Sequence, residues 1–425
     1  MKKMIHQDID ETRIEWQHTS GLHIVVMPKK NYHKTYVTLS TPFGANHTLL
    51  KAKSKTIDIP YGTAHFLEHK LFDRDGVELS KAFANQNASV NAYTQNNQTT
   101  FLFSCSNHLS DHLRRLIDMV FNPVFTEEGI QKEISIIDEE IEMYQDNAYT
   151  LMYEGILNQM YHNHPIKNAI LGTKESIRNI TKPLLETIHQ AAYNPKNMIL
   201  FIIGKVNPKT IYHVFETIHI PQPHQSYQLA DINVNEPTEV VDSSLKVHHQ
   251  DVLIPHNCLG IKLDIPTPIT SLLKEELIYS ILFEMVLGKS SETYQSLIQK
   301  RVINDSFDLD ITIDHDIANI LLSCNLDNPL LFFDTLKEVF NHFDSLALDD
   351  EVFIRVKNQI LGGFIHALNS LEYVANQYTK YYFLKDNLFH ILDVMKTITL
   401  DDIKKAQDII QAGRHAFISI QKKVH

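Results

Sequence analysis

Cysteine is scarce in this chain, and the three present (Cys105, Cys258 and Cys324) are odd in number and far apart. That excludes a disulfide framework and a cysteine-type zinc site, and it fits a reducing, cytoplasmic setting in which buried, inert thiols are expected. Basic excess is also lacking. Lys and Arg total 39 against 51 Asp and Glu, a formal net charge of −12, which argues against nucleic acid or an anionic membrane as the main partner. No stretch approaches the roughly 18 apolar residues of a membrane-spanning helix. The opening MKKMIHQDIDETRIEW has lysines but no apolar run behind them, so it reads as neither signal peptide nor membrane anchor.

What is present is enough apolar residue (43%) for packed cores in a chain of 425 residues, a length suited to two domains. Two segments resemble each other half a chain apart. SIRNITKPLLETIHQAAYNPKNMILFIIG and DVMKTITLDDIKKAQDIIQAGRHAFISIQ both carry Ile-Thr (Ile180-Thr181 and Ile398-Thr399) with Thr placed as a helix N-cap. Pro183, or Asp401 and Asp402, then occupy the favourable first turn. Each helix runs into a β-branched and aromatic strand, 198–203 and 416–420. Strands (HIVVMP, KTYVTLST, TTFLFSC; then LGIKLDI, ANILLSCNL) and helical patterns (108–121, 127–145, 271–287, 351–368) come in blocks, which predicts α+β rather than a doubly wound sheet. The expected organisation is a domain over 1–218, a polar linker over 219–243 carrying Pro221, Pro223 and Pro237, and a structurally similar domain over 244–425.

The most informative stretch is PYGTAHFLEHKLF, residues 60–72. On a helix turning about 100° per residue, His65 and His69 fall on one face, Glu68 borders that face, and Leu67 and Leu71 point to the opposite side, toward a core. Two imidazoles at i and i+4 can reach one Zn²⁺, while a carboxylate just before the second His can reach water at the metal without ligating it. One such pair among 24 histidines would carry little weight alone; the order H-x-x-E-H is more specific. A third ligand is expected in EEGIQKEISIIDEEIEMYQD, residues 127–146. Its apolar stripe is Ile130, Ile134, Ile137, Ile141 and Tyr144, and Glu133 and Glu140 lie side by side about 60–80° from its centre. Lys132, Asp138, Glu139 and Glu142 fall farther round, toward solvent. A carboxylate beside a buried stripe is costly unless partnered. A metal for one and a supporting role for the other would resolve the cost; periodicity does not say which takes which. His108 and His112 are also four apart, but no neighbouring acid repeats the motif, and they are expected to face solvent.

These motifs resemble the pitrilysin, insulinase and mitochondrial-processing-peptidase family of inverted zincins, and among bacterial members look closest to the YmfH/AlbF-like group of single-length, two-domain proteins. YGTAHFLEHKLF is similar to the family's Gly-x-Ala-His-x-x-Glu-His helix, NASVNAYTQNNQTTFLF to its Asn-Ala-x-Thr strand, and KEISIIDEEI to its segment with two glutamates seven apart. LGTKESIRNIT and YNPKNMILFIIG resemble its closing helix and strand. The resemblance covers nearly all of 20–215 and, more loosely, the second half. It implies two similar α+β domains forming a clamshell, one zinc per chain on His65, His69 and Glu140, Glu68 as general base, Glu133 as its catalytic support, and Val90, Asn91 and Ala92 pairing with an extended peptide substrate. In the second half, the stretch matching HFLEH is FEMVL, with no His and no metal-like pair. Family members that act alone carry an Arg and a Tyr seven apart after a segment like GKSSETYQSL; an ungapped reading places Ile298 and Asp305 there, and Arg301 is out of phase. The resemblance therefore implies a peptide-processing heterodimer with a related subunit that lacks HxxEH and supplies the Arg and Tyr. The rival reading is a non-catalytic scaffold or peptide-binding subunit with a structural metal.

Overall fold

The computed structural model describes residues 1–6, 9–52, 56–74, 77–222, 227–230, 232, 234–264, 271–314 and 316–423. Of the stretches singled out above, residues 7 and 8 of the opening MKKMIHQDIDETRIEW, residues 223–226, 231 and 233 of the linker and Ile265 at the end of LGIKLDI lie outside the described residues.

Among the described residues, the first half supplies the seven strands of its main sheet and five main helices. They are β1 (Lys2–His6), β2 (Glu11–Gln17), β3 (His23–Pro28), β4 (Thr35–Thr41), α1 (Thr63–Phe72), β5 (Ala88–Thr94), β6 (Thr99–Cys105), α2 (Leu109–Phe121), α3 (Glu127–Gln145), α4 (Ala148–Met160), α5 (Lys182–Ala192) and β7 (Ile199–Gly204). The second half supplies β8 (Leu245–Gln250), β9 (His256–Lys262), α6 (Leu272–Leu287), β10 (Asp308–Ile313), β11 (Ala318–Asn325), α7 (Pro329–Asn341), α8 (Asp350–Ala367), α9 (Leu371–Phe383), α10 (Leu400–Gln411) and β12 (Arg414–Lys422).

The two sheets share one plan. The first runs β1-β2-β3-β7-β4-β6-β5 and the second β8-β12-β9-β11-β10. In each, the last strand of its half enters the middle, parallel to one neighbour and antiparallel to the other. Ile199 sits opposite His23 and Ser40, and Phe417 sits opposite Leu245 and Leu259. The chain is thus α+β with two similar domains. Thr399 caps α10 through a reciprocal capping box with Asp402, whereas Thr181 holds the N-cap position of α5 without a side-chain cap bond.

The compact units do not follow the chain linearly. One comprises Met1–Ile141, Asn168–Ile232 and Ala367–Phe383; the other comprises Glu142–Lys167, Asn233–His366 and Leu384–His425. In the first unit, Phe66 and Leu67 of α1, Ile130 and Ile137 of α3, and Leu185 of α5 pack with Val37, Phe101 and Leu200 of the sheet. Side chains alternate along each strand, so Tyr36 and Phe201 point the other way, where α9 lies. The Phe201 and Tyr378 ring centroids are 4.7 Å apart, the Arg13 guanidinium lies 5.4 Å from the Tyr378 centroid, and His23 stacks on Tyr382. In the second unit the corresponding place belongs to α4, whose Met152, Ile156 and Met160 pack with Cys258, Ala416 and Ile418. Each sheet therefore has one face covered by a helix from the other half of the sequence.

Part of the linker is structured. Tyr227–Leu229 pairs with Leu50–Ala52 in the first unit. In the second unit, Glu236 accepts from the backbone N–H groups of His162, Asn163 and His164 and from Lys262 Nζ at 2.6 Å. The three cysteines are buried and unpaired. No helix among the described residues is long and apolar enough to cross a membrane.

Candidate metal centre

Helix α1 is buried along nearly its whole length because two tight backbone crossings fix its start. Gly62 has φ of +87°, a left-handed conformation suited to glycine, and a Cβ there would meet the Leu171 carbonyl oxygen at 2.2 Å. Gly172, φ +74°, faces the Tyr61 carbonyl in the same way, and Ser176 Oγ donates to that carbonyl at 2.8 Å. The YGT and LGT motifs are thus two sides of one close contact, and it sets where α1 begins. Leu67 and Leu71 face the core, as their spacing predicts, and Phe66 is fully buried as well.

His65 and His69 share the opposite face, with ring centroids 4.4 Å apart. Helix α3 brings Glu140 over them: its Oε2 lies 3.8 Å from His65 Nε2 and 3.7 Å from His69 Nε2. One ligand atom from each of the three residues falls within 4.8 Å of the others, the one such His/Cys/Asp/Glu group among the described residues. Glu133 meets the other ring nitrogen of His69, with Oε1 3.0 Å from Nδ1. The two glutamates that periodicity left equivalent therefore stand on different sides of His69. One full helical period farther along α3, Tyr144, grouped above with the apolar stripe, is 38% exposed: the stripe ends at Ile141.

Glu68 is 9% exposed and accepts a 2.6 Å hydrogen bond from Thr94 Oγ1, on β5. Burial pushes its carboxyl above the usual range, and the Thr94 bond works against that. Burial, then the nearby His69, lowers His65 to about 3, which keeps that imidazole neutral as a metal ligand must be. Burial pushes His69 down, but the bond to Glu133 and the surrounding carboxylates outweigh it, and the net shift is upward. Glu140 is raised by burial against the pull of His69. A cation between these groups would reverse the last two directions.

The donor set fits a divalent ion. Two imidazole nitrogens and one carboxylate oxygen lie 3.7–3.8 Å apart, N to O, close to the roughly 3.3–3.6 Å edges of a tetrahedron with 2.0–2.2 Å bonds. Three ligands leave a fourth position for water or substrate.

Val90, Asn91 and Ala92 lie on β5, the edge of the first sheet, paired on one side with Phe103, Leu102 and Phe101. Asn91 is a strand residue, and its Oδ1 accepts from Ala92 N at 2.9 Å. In the second half, Ile298 lies in the last turn of the short helix Glu292–Gln299, and Arg301 is exposed with φ of +56°.

Two residues escaped the sequence reading. Thr94 lies in the quoted strand, but only the fold shows that it meets Glu68. Lys70, inside a helix otherwise read as metal face and core, is 2% exposed; its isolated charge beside Leu71 was the available signal. The expectation that His112 faces solvent is corrected. It is fully buried, stacked on Phe83 and tilted against Phe103, because it lies on the same face of α2 as Leu116 and Met119. His108 is exposed, before the helix starts.

Residues 58–174 match the insulinase family, peptidase family M16. The uncharacterized zinc protease YmfH of Bacillus subtilis is 34% identical over 418 residues, covering 97% of both chains. The crystal structure of an M16-like peptidase from Alicyclobacillus acidocaldarius superposes with a TM-score of 0.91 at 25% identity, over 99% of this chain and 100% of that one. A peptidase M16 inactive domain from Pseudomonas fluorescens matches with a TM-score of 0.78 at 15% identity, over 97% and 98% of the two chains. That last likeness is one of fold alone, so activity has to be argued from the site.

Proposed function

The chain belongs to the insulinase family of peptidases, family M16, and from that premise we propose that it is a zinc-dependent endopeptidase that cleaves short or unfolded peptides held as extended strands. The observation that carries this reading is the convergence of His65, His69 and Glu140 with Glu68 beside them. His65, His69 and Glu140 hold the ion, about one per chain. Bound zinc supplies Lewis-acid polarisation of the scissile carbonyl and lowers the pKa of water. Glu68 takes the proton of the attacking water and passes it to the leaving amine, a role suited to a buried carboxylate with a raised pKa. Thr94 fixes one Glu68 oxygen and leaves the other for the proton. Glu133 keeps the His69 Nδ1 proton occupied, so that Nε2 is the nitrogen offered to the metal. The free edge of β5 at Val90, Asn91 and Ala92 takes the peptide as an added strand, a mode with little demand on sequence.

The chain works as the catalytic subunit of a heterodimer. The supporting observation is the lack of an Arg/Tyr pair at Ile298 and Asp305, which leaves the peptide backbone to be held by a partner's residues. Positioning of that kind contributes several kcal/mol to lowering a barrier. The test has two stages. Elemental analysis should find about one zinc in the native chain and a large loss in His65→Ala and Glu140→Gln; full zinc content in both variants would refute the ligand set. Peptide cleavage is then assayed with the chain alone, with a related subunit lacking HxxEH, and with that subunit's Arg and Tyr replaced. Full activity alone, unchanged by the partner, would rule out the heterodimer. A zinc-loaded complex that never cleaves would favour the scaffold.

A further inference from the structure

Lys70 follows His69 directly and is 2% exposed. Its Nζ donates to Asp73 Oδ2 at 2.6 Å and to the Gly129 carbonyl at 3.3 Å, and lies 3.8 Å from Glu133 Oε2. Two hydrogen bonds and one ion-pair contact thus engage the ammonium group. The other oxygen of the same Glu133 carboxylate meets His69 Nδ1. A buried cation is thus tied through one carboxylate to one imidazole of the metal centre. Helix α3 leaves room for it: a Cβ on Gly129 would lie 3.0 Å from Lys70 Nζ and 2.8 Å from Thr126 Oγ1.

As an anchor for α1, a lysine here is a poor choice. Burying an ammonium costs desolvation, and an apolar side chain of similar volume would commonly stabilise as well or better. What an apolar side chain lacks is a positive charge on the far oxygen of Glu133. With one oxygen held near Lys70, the carboxylate keeps a single rotation, its near oxygen stays on His69, and the imidazole is fixed about its ring axis.

We propose that Lys70 is a positioning residue of the metal centre, acting through Glu133 to hold His69 in its ligating orientation. The inference rests on the reading that His65, His69 and Glu140 bind zinc.

The experiment measures zinc affinity by chelator competition on the purified full chain, for wild type, Lys70→Met, Glu133→Gln, the double variant and Gly129→Ala, with circular dichroism and metal-free melting as controls for folding. Lys70→Met should weaken zinc binding about 10–100-fold, the range found when outer partners of metal ligands are removed. In the Glu133→Gln background the same substitution should add almost nothing, because its effect passes through the missing carboxylate. Gly129→Ala displaces the ammonium without deleting it and should weaken binding in the same direction, which keeps the test alive if Lys70→Met fails to fold. A folded Lys70→Met chain with wild-type affinity, or an equal loss in the Glu133→Gln background, overturns the proposal. Wild-type protein that binds no zinc would instead bring down the proposed function, and this inference with it.

Discussion

Replacing Glu68 by Gln separates chemistry from structure in this protein. The amide is nearly isosteric, and its oxygen can still accept the 2.6 Å bond from Thr94. What is lost is the group that accepts a proton. Acid–base catalysis contributes about 10²–10⁴ in rate, so peptide turnover should fall at least 100-fold, or about 2.7 kcal/mol at 1.36 kcal/mol per tenfold. Zinc content should not change, because Glu68 is not among the three converging ligands. Stability should move the other way. Burial raises the Glu68 pKa in the folded state, so the ionised carboxylate weighs against folding at any pH above its unfolded value. With the metal removed, Glu68→Gln at neutral pH should therefore melt at the wild-type temperature or higher. The assays are fluorogenic cleavage of an extended peptide, elemental analysis and calorimetry of the chelated protein. Turnover within tenfold of wild type would remove Glu68 from the mechanism, and loss of zinc would make it a ligand.

Glu236 sets an acid limb of stability. Burial pushes its carboxyl up, but Lys262 and three backbone N–H groups outweigh it and hold it at about 2, against an ordinary 4.5. Its contribution is complete above pH 4.5 and is lost as pH falls toward 2, so Glu236→Gln should lower the melting temperature near neutrality and flatten its decline across that window; an unchanged acid limb would refute the assignment. Residues 1–218 expressed alone lack α9 and leave Tyr36 and Phe201 uncovered. They should aggregate on gel filtration, and supplying residues 367–383 after a flexible tether should restore a monomer with a cooperative melt; a monomeric, cooperatively melting 1–218 would show that α9 is dispensable.

What was legible in the sequence is what neighbours dictate. His65, Glu68 and His69 share one short helix, so their common face follows from its turn angle. The blocks of strands and helices give α+β, and the similar closing segments of the two halves correspond to β7 and β12, inserted alike in their sheets. Glu133 and Glu140 were separable only through the family resemblance and not by periodicity, because both border the same apolar stripe; the approach of α3 to α1 puts them on different nitrogens of His69. Thr94 and Lys70 stayed hidden for a related reason. Each acts across a contact between elements distant in sequence, and no local period records it. The exchange of α4 and α9 is the extreme case. LEYVANQYTKYYF plainly has a face to bury, but nothing within it says that the sheet it covers was made more than 150 residues earlier.

That exchange has a consequence during synthesis. By the time β7 leaves the ribosome, every strand of the first sheet is available, yet the helix that covers its second face ends at Phe383. At 5–20 residues per second, the roughly 180 intervening residues take about 10–40 s to emerge. A first sheet that forms within that interval is half-covered, with Tyr36 and Phe201 bare, and so presents an apolar surface to any chaperone near the exit tunnel before its own last helices arrive.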